Sequence, residues 1–317
     1  MKIVVTGGAG FIGANLCRRL AGAGGNEVIA FDDLSTGRRQ NLADVPGARL
    51  VEGSILDQRA LDDVVRGAHS IVHLAARPSV PRSVSDPLAA HEVNATGTIR
   101  VLEAARQKGV AHVVVASSSS VYGANPVLPK HEDLAPRPRS PYAASKLAAE
   151  SYALAYASSY GSKVLALRFF NVFGPLQPAG HAYAAVIPSF VSAALADEPL
   201  PVHGDGTQSR DFTYVGSVVA VLAEAAIHHV ASETPVNLAF GTRTSLREVI
   251  EMLGNILGRE LAIEHVAPRA GDVAHSQADQ TRFRELFPQA QAVPLVEGLG
   301  ATVDWFRSQQ HEFAAHK

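Results

Sequence analysis

Residues 3–6 are apolar and mostly β-branched, and three glycines at three-residue spacing, Gly7, Gly10 and Gly13, follow at once. Apolar positions then resume at helical spacing through Ile12, Leu16 and Leu20. The pattern predicts a strand, a tight turn and a helix. Further strands are predicted over 27–31, 49–52, 70–74, 111–116 and 163–170, the fifth almost continuously apolar at His112-Val113-Val114-Val115. Between them the spacing predicts helices near 56–65, over 87–108 and over 142–160. Strands alternating with helices in this way define an α/β fold with a doubly wound parallel sheet, which places ligands at the carboxyl ends of the strands. Beyond residue 172 the alternation loosens. Helices are expected over 182–196 and 245–257, with short strands near 201–203 and 235–239. This predicts a smaller interleaved α/β part formed by 173–210 and 241–317, with 1–172 and about 211–240 forming the larger one.

Composition narrows the function classes. The 317 residues are 47% hydrophobic and 18% charged, with a formal net charge of −2. No basic excess calls for nucleic acid or an anionic membrane surface, and no apolar run reaches membrane-spanning length. A soluble cytoplasmic protein is the expectation. Cys17 is the only cysteine, so neither a disulfide framework nor a cysteine-rich metal site is available. The thirteen histidines are scattered, and no metal is expected.

Three features carry chemistry. The glycines sit between a strand and a helix, the context in which the first makes a tight turn, the second admits a pyrophosphate and the third packs helix on strand. The helix N-terminus then offers its N–H groups to the anion, as in a Rossmann-type fold. Asp32 ends the second strand about twenty residues on, where a carboxylate holds both hydroxyls of an adenosine ribose and repels a 2′-phosphate, favouring NAD over NADP. The third feature lies further along. Ser117-Ser118-Ser119-Ser120-Val121-Tyr122-Gly123 ends the fifth strand, a proline-rich loop follows, and Tyr142 and Lys146 stand one turn apart on the next helix.

That last spacing alone is more often a solvated pair than a site. Its chemistry depends on what lies beside it. Tyrosine ionises near pH 10, so populating the phenolate near pH 7 needs roughly 4 kcal/mol. One cation about 5 Å away contributes about 3 kcal/mol at an effective dielectric of about 20. The positive charge of an oxidised nicotinamide would supply the rest.

Taken together, Thr6-Gly7-Gly8-Ala9-Gly10-Phe11-Ile12-Gly13, Asp32, the serine run, Tyr142-x-x-x-Lys146 and Arg168-Phe169-Phe170-Asn171 resemble the extended short-chain dehydrogenase/reductases. The chain is most similar to the UDP-glucose/UDP-N-acetylglucosamine 4-epimerases among the NAD-dependent nucleotide-sugar epimerases and dehydratases. The resemblance implies a tightly held NAD, Tyr142 as the base for the sugar 4-hydroxyl and Lys146 on the nicotinamide ribose. It implies Ser118 on the reacting oxygen, with Ser120 as second candidate. Further cofactor contacts are implied for Asp33, Ser35, Thr36, Gly37, Ser54, Ile55, Leu74, Ala75, Ala76, Asn94, Ser117 and Phe169. The UDP part would be held by Asn171, Val186, Val202, His203, Arg210, Arg269 and Asp272. A homodimer is implied as well, on the helices near 92–108 and 142–160.

Departures from the family pattern sharpen the reading. Ser54 stands where an aspartate usually faces the adenine amine, and Pro78 where some glucose-specific relatives carry a lysine. Ser276 occupies a position that is a bulky tyrosine in relatives restricted to UDP-glucose and UDP-galactose. A small residue there implies that N-acetylated sugars are accepted beside plain hexoses. Dehydratases and decarboxylases of this type carry acids just before Val-Tyr-Gly, and here Ser119 and Ser120 stand in those places. A UDP-glucuronate 4-epimerase and a non-catalytic NAD-binding regulator are the remaining alternatives; the second commonly lacks the tyrosine or lysine that this chain keeps.

Overall fold

Five residues, Lys2–Thr6, with apolar Ile3, Val4 and Val5 at their centre, form β1, and the sheet grows on both sides of it. The computed structural model describes residues 1–179, 185–267 and 275–315, with side chains to 309. Strands β2 (Glu27–Asp32) and β3 (Ala48–Glu52) lie on one side, and β4 (Ser70–His73), β5 (His112–Ser118) and β6 (Lys163–Phe169) on the other. The pairings are parallel, and a seventh strand, Val236–Leu238, pairs with β6. Ile3, Val4 and Val5 are fully buried, as expected of strands covered on both faces.

Helices cover both sides. Helix α1 (Phe11–Gly22) packs Leu16, Cys17 and Leu20 into one apolar cluster with a helix over Val215–His228. On the other face α2 (Gln58–Val65) joins a second cluster. The helix predicted over 87–108 runs from Pro87 to Gln107, with a widened turn in its middle. Here α3 (Val80–Ser85) and α4 (Pro87–His91) precede a π-helical turn, Glu92–Thr96, and then α5 (Gly97–Gln107). The turn has a tertiary cause. Asn94 is buried, accepts the Arg77 N–H at 2.7 Å through Oδ1 and donates to the Ser145 hydroxyl at 2.9 Å. Widened turns of this kind recur where a helix must present a side chain at a site.

Helix α6 (Pro141–Tyr160) follows the proline-rich loop, with the Ser140 hydroxyl accepting the Ala143 N–H at 3.1 Å and proline at its first position. A third cluster joins α7 (Val186–Leu195), the Val215–His228 helix being α8, to α9 (Leu246–Leu257) and the closing helix Leu295–Ala315. Short strands there pair Leu200–His203 with Ile263–Val266 and Ser209–Arg210 with Thr244–Ser245. The strand predicted near 235–239 belongs to the central sheet. At the amino ends of β4 and β5, the rings of His69, His229 and His112 stack, with centroids 4.0 and 5.2 Å apart. No helix among the described residues is long and apolar enough to cross a membrane.

Candidate active site

The glycine turn leaves no room for side chains. Gly7 has φ +70°, and a Cβ on it would come within 2.7 Å of the Ala75 nitrogen. A Cβ on Gly13 would lie 2.0 Å from the Gly7 carbonyl oxygen. Gly10 precedes α1 with no side chain over the helix end, so the first-turn N–H groups beside the half-buried Phe11 and Ile12 remain available to an anion. Asp32 accepts the N–H of Ala9 at 2.9 Å and of Leu34 at 2.8 Å. Burial pushes its carboxyl up from the ordinary value, against those backbone donors. Two more acceptor positions remain for a pair of hydroxyls. Gly37 packs against it: a Cβ there would sit 2.7 Å from Oδ1. Exposed Asp33 accepts both the N–H and the hydroxyl of Ser35, and Thr36 is exposed beside them. These residues fit a dinucleotide.

The remaining sequence candidates distribute unevenly. Leu74, Ala75 and Ala76 leave β4 half-buried, and Phe169 packs against the first cluster. The Ser54 hydroxyl accepts the Leu56 N–H at 3.2 Å, which still leaves it able to accept a second donor. The Ile55 side chain is buried in the second cluster, leaving its backbone to reach a ligand. Ser117 is also turned inward, donating to Glu150 at 2.6 Å.

Ser118, the next residue on β5, points the other way, as alternation requires. It lies against the Tyr142 phenol and accepts from Ser120 twice, the N–H at 3.2 Å and the hydroxyl at 2.9 Å. Of the two candidate serines, Ser118 is the one on the phenol's side, and Ser120 hydrogen-bonds Ser118. Lys146 is buried, donates to the Ala116 carbonyl at 2.6 Å, and has its pKa lowered to about 8 by that burial. The tyrosine departs from expectation. Burial raises its pKa, and the Ser118 hydrogen bond opposes the rise. In this environment Lys146 alone does not make the phenol acidic, so any lowering must come with a further positive charge.

Sequence reasoning missed the residues that hold this set. The Ser83 hydroxyl, on α3, accepts the Tyr142 N–H at 3.0 Å. Glu150 and Arg168 form a buried two-pronged pair at 2.7 and 2.9 Å beneath Ser117. His73 bridges Thr6 at 2.7 Å and Thr98 at 2.9 Å, and is kept neutral, with a pKa of about 3, by burial and by the Lys146 charge. Only Ser140, in a Ser-Pro pair before a helix, left a local signal.

A cleft of about 210 Å³ opens where β6 gives way to the smaller part. Asn171, Val186, His203 and Arg210 line it together with Phe173, Gln208, Phe212 and Leu246. Val202 is buried with its side chain in the third cluster. Ser276 stands beside the cleft strand, its N–H donating to the Ser209 carbonyl at 3.0 Å. Arg269 and Asp272 lie outside the described residues. Among the described residues, no group of three or more His, Cys, Asp or Glu side chains could hold a metal ion.

A glycine turn on β1, an acid at the end of β2 and a Ser–Tyr–Lys set beside β5 define a nicotinamide-dependent short-chain dehydrogenase/reductase architecture, with a second cleft appended. Comparison with known proteins gives the family. The model described as NAD dependent epimerase/dehydratase family matches residues 3–239, and the chain belongs to that family. A UDP-glucose 4-epimerase of Mycolicibacterium smegmatis is 38% identical over 314 residues, covering 98% of this chain and 99% of the relative. The structure of UDP-N-acetylglucosamine 4-epimerase from Methanobrevibacter ruminantium M1, in complex with UDP-N-acetylmuramic acid, superposes with a TM-score of 0.92. It is 35% identical, with 97% of this chain and 98% of that one covered. DesIV, a dTDP-glucose 4,6-dehydratase from Streptomyces venezuelae with NAD bound, is 34% identical with a TM-score of 0.89 and 98% of both chains covered. The chain is thus an enzyme of an NAD-dependent sugar-nucleotide family with epimerases and dehydratases among its neighbours.

Proposed function

We propose that this chain is a 4-epimerase of UDP-sugars, accepting UDP-N-acetylglucosamine and UDP-N-acetylgalactosamine and also UDP-glucose and UDP-galactose. The observation that carries the reading is the Ser120–Ser118–Tyr142 hydroxyl chain beside buried Lys146. Hydroxyls at 119 and 120 leave no carboxyl there to move a proton at C5, which favours epimerisation over dehydration.

In this reading Tyr142 takes the proton of the sugar 4-hydroxyl while Ser118 donates to the same oxygen. Lys146 holds the nicotinamide ribose and favours the phenolate. Bound NAD supplies the hydride acceptor for C4 and, after the 4-keto sugar has turned in the cleft, the hydride donor to its other face. Tyr142 then returns the proton, so stereochemistry inverts without net oxidation. Arg210, with Asn171 and His203 along the cleft, grips the nucleotide while the sugar turns. Residues 1–172 and 211–240 serve the cofactor, and 173–210 with 241–317 serve the UDP-sugar. The same reading puts the enzyme in the cytoplasm. It makes the enzyme a homodimer across α5 and α6, where Tyr152 and Tyr160 are exposed.

Incubating the protein with a panel of UDP-sugars, including UDP-glucuronate, without added cofactor and reading products by proton NMR tests the assignment. Tyr142→Phe should abolish turnover while bound NAD stays unchanged; a near-normal rate would defeat the role. Ser276→Tyr should suppress turnover of the N-acetylated sugars more than of the hexoses. An equal loss on both would remove Ser276 as the gate.

A further inference from the structure

Asp211 is fully buried, yet both of its chain neighbours, Arg210 and Phe212, line the nucleotide cleft. Its carboxylate collects hydrogen bonds from two other segments. Oδ1 accepts the Thr242 hydroxyl at 3.0 Å and Oδ2 accepts the Ala278 N–H at 3.1 Å. The backbone of Gly241 and Thr242 also faces the carboxylate and favours its charged form. Its carbonyl accepts Nδ2 of Asn171, another cleft residue, at 3.3 Å. The same three segments meet again two residues earlier. The Ser209 carbonyl accepts the Ser276 N–H, and its hydroxyl meets Arg243 Nε at 3.0 Å and His275 Nδ1 at 2.9 Å.

Among the described residues the donors to the carboxylate are neutral, and burial raises its pKa to about 6. A buried carboxylate without a cationic partner is costly. Next to a cleft that takes a diphosphate, its charge also acts in the unfavourable direction. Coulomb complementarity therefore does not account for it. Its geometry does, because a carboxylate is an acceptor on every face. An amide of the same shape has one acceptor oxygen in place of two, so one of the two bonds must be reversed or lost.

We propose that Asp211 is the positioning residue of the nucleotide cleft, clamping the strands that carry Arg210 and Asn171 to the 241–246 and 276–278 segments. The proposal rests on the reading of that cleft as a UDP site. It assigns Asp211 to substrate grip and not to the chemistry at C4.

Titration calorimetry of UDP into the NAD-loaded protein separates the possibilities. Asp211→Asn should raise the UDP Kd about tenfold or more, a loss of about 1.4 kcal/mol. KM for the UDP-sugar should rise in step while kcat stays within about threefold and bound NAD per chain is unchanged. Thr242→Val should weaken UDP by a smaller factor, and Thr242→Ser, which keeps the hydroxyl, should bind more tightly than the valine variant. If Asp211→Asn fails to fold, the Thr242 pair decides: equal affinity in valine and serine variants overturns the clamp. Unchanged or tighter UDP binding by Asp211→Asn also overturns it, because lost repulsion is then the only effect of the charge. A kcat loss as large as the KM change would overturn the confinement to grip. Wild-type protein that binds no UDP would defeat the nucleotide reading itself, whereas binding retained equally in both proteins defeats only the role of Asp211.

Discussion

Replacing Lys146 by methionine should make the protein more stable and less active. The side chain is 6% exposed and its ammonium has one protein partner, the Ala116 carbonyl. Burial lowers its pKa from 10.5 to about 8. Below pH 8 both folded and unfolded states carry the proton, so the folded state bears the full cost of the buried charge. A gap of about 2.5 pH units corresponds to about 3 kcal/mol. Between pH 8 and 10.5 the unfolded chain keeps its proton while the folded one has lost it, so wild-type stability rises with pH across that window. Methionine removes the charge and keeps an unbranched stem. The Ala116 carbonyl loses its side-chain donor at a cost of about 1 kcal/mol. The variant should therefore gain about 2 kcal/mol at pH 7, or roughly 3 °C in Tm for a chain of this length. Urea denaturation of dinucleotide-free protein at pH 7 and 9.5 checks both the size and the sign. The advantage should largely vanish at the higher pH, while turnover of the holoenzyme falls by about 100-fold or more. A variant less stable at pH 7, or an advantage unchanged by pH, would refute the argument.

Three further outcomes follow from packing and charge. Arg168→Met strands the Glu150 carboxylate in an interior where Arg168 itself is 2% exposed. Chemical denaturation should show a loss of about 3–5 kcal/mol, and a loss below about 1 kcal/mol would mean that the pair is not tightly coupled. Gly13→Ala drives a methyl to 2.0 Å from the Gly7 carbonyl oxygen. It should empty the cofactor site, measured as NAD released per chain on denaturation; full occupancy would mean that the turn yields. His112, stacked with His229 and bonded to Ser70 and Val230, has its pKa lowered from 6.5 to about 4, chiefly by burial. The unfolded state binds the proton first as pH falls through that window, so stability should drop by up to about 3 kcal/mol between pH 6.5 and 4. His112→Gln should make that acid limb shallower, leaving the part that buried His73 supplies over the same window, and an unaltered limb would assign it to other groups.

The sheet was legible because its strands are covered on both faces and read as nearly unbroken apolar runs, as at His112–Ser118. The glycine turn was legible because its residues are adjacent in sequence. The widened turn between α4 and α5 was not, since it answers to a bond from Asn94 to Arg77, seventeen residues away. Ser83 supports Tyr142 across fifty-nine residues, and no local pattern marks it. Serine alternation at the end of β5 was visible, but which hydroxyl lies on the phenol's side depends on the strand's direction of exit. Arg168 stood inside the family motif without a role until its bond to Glu150 on α6 placed it under the reactive strand.

The order of strands across the sheet has a consequence for how such enzymes diversify. Strands β1 to β4, which carry most of the residues that fit a dinucleotide, lie to one side of β5, while β6 and the Val236–Leu238 strand, whose exits lead to the cleft, lie to the other. Redox machinery and ligand recognition are therefore separable cassettes that share one reactive border. Grafting the connections that leave the last two strands should transplant preference for a different sugar donor while the hydride chemistry is inherited intact.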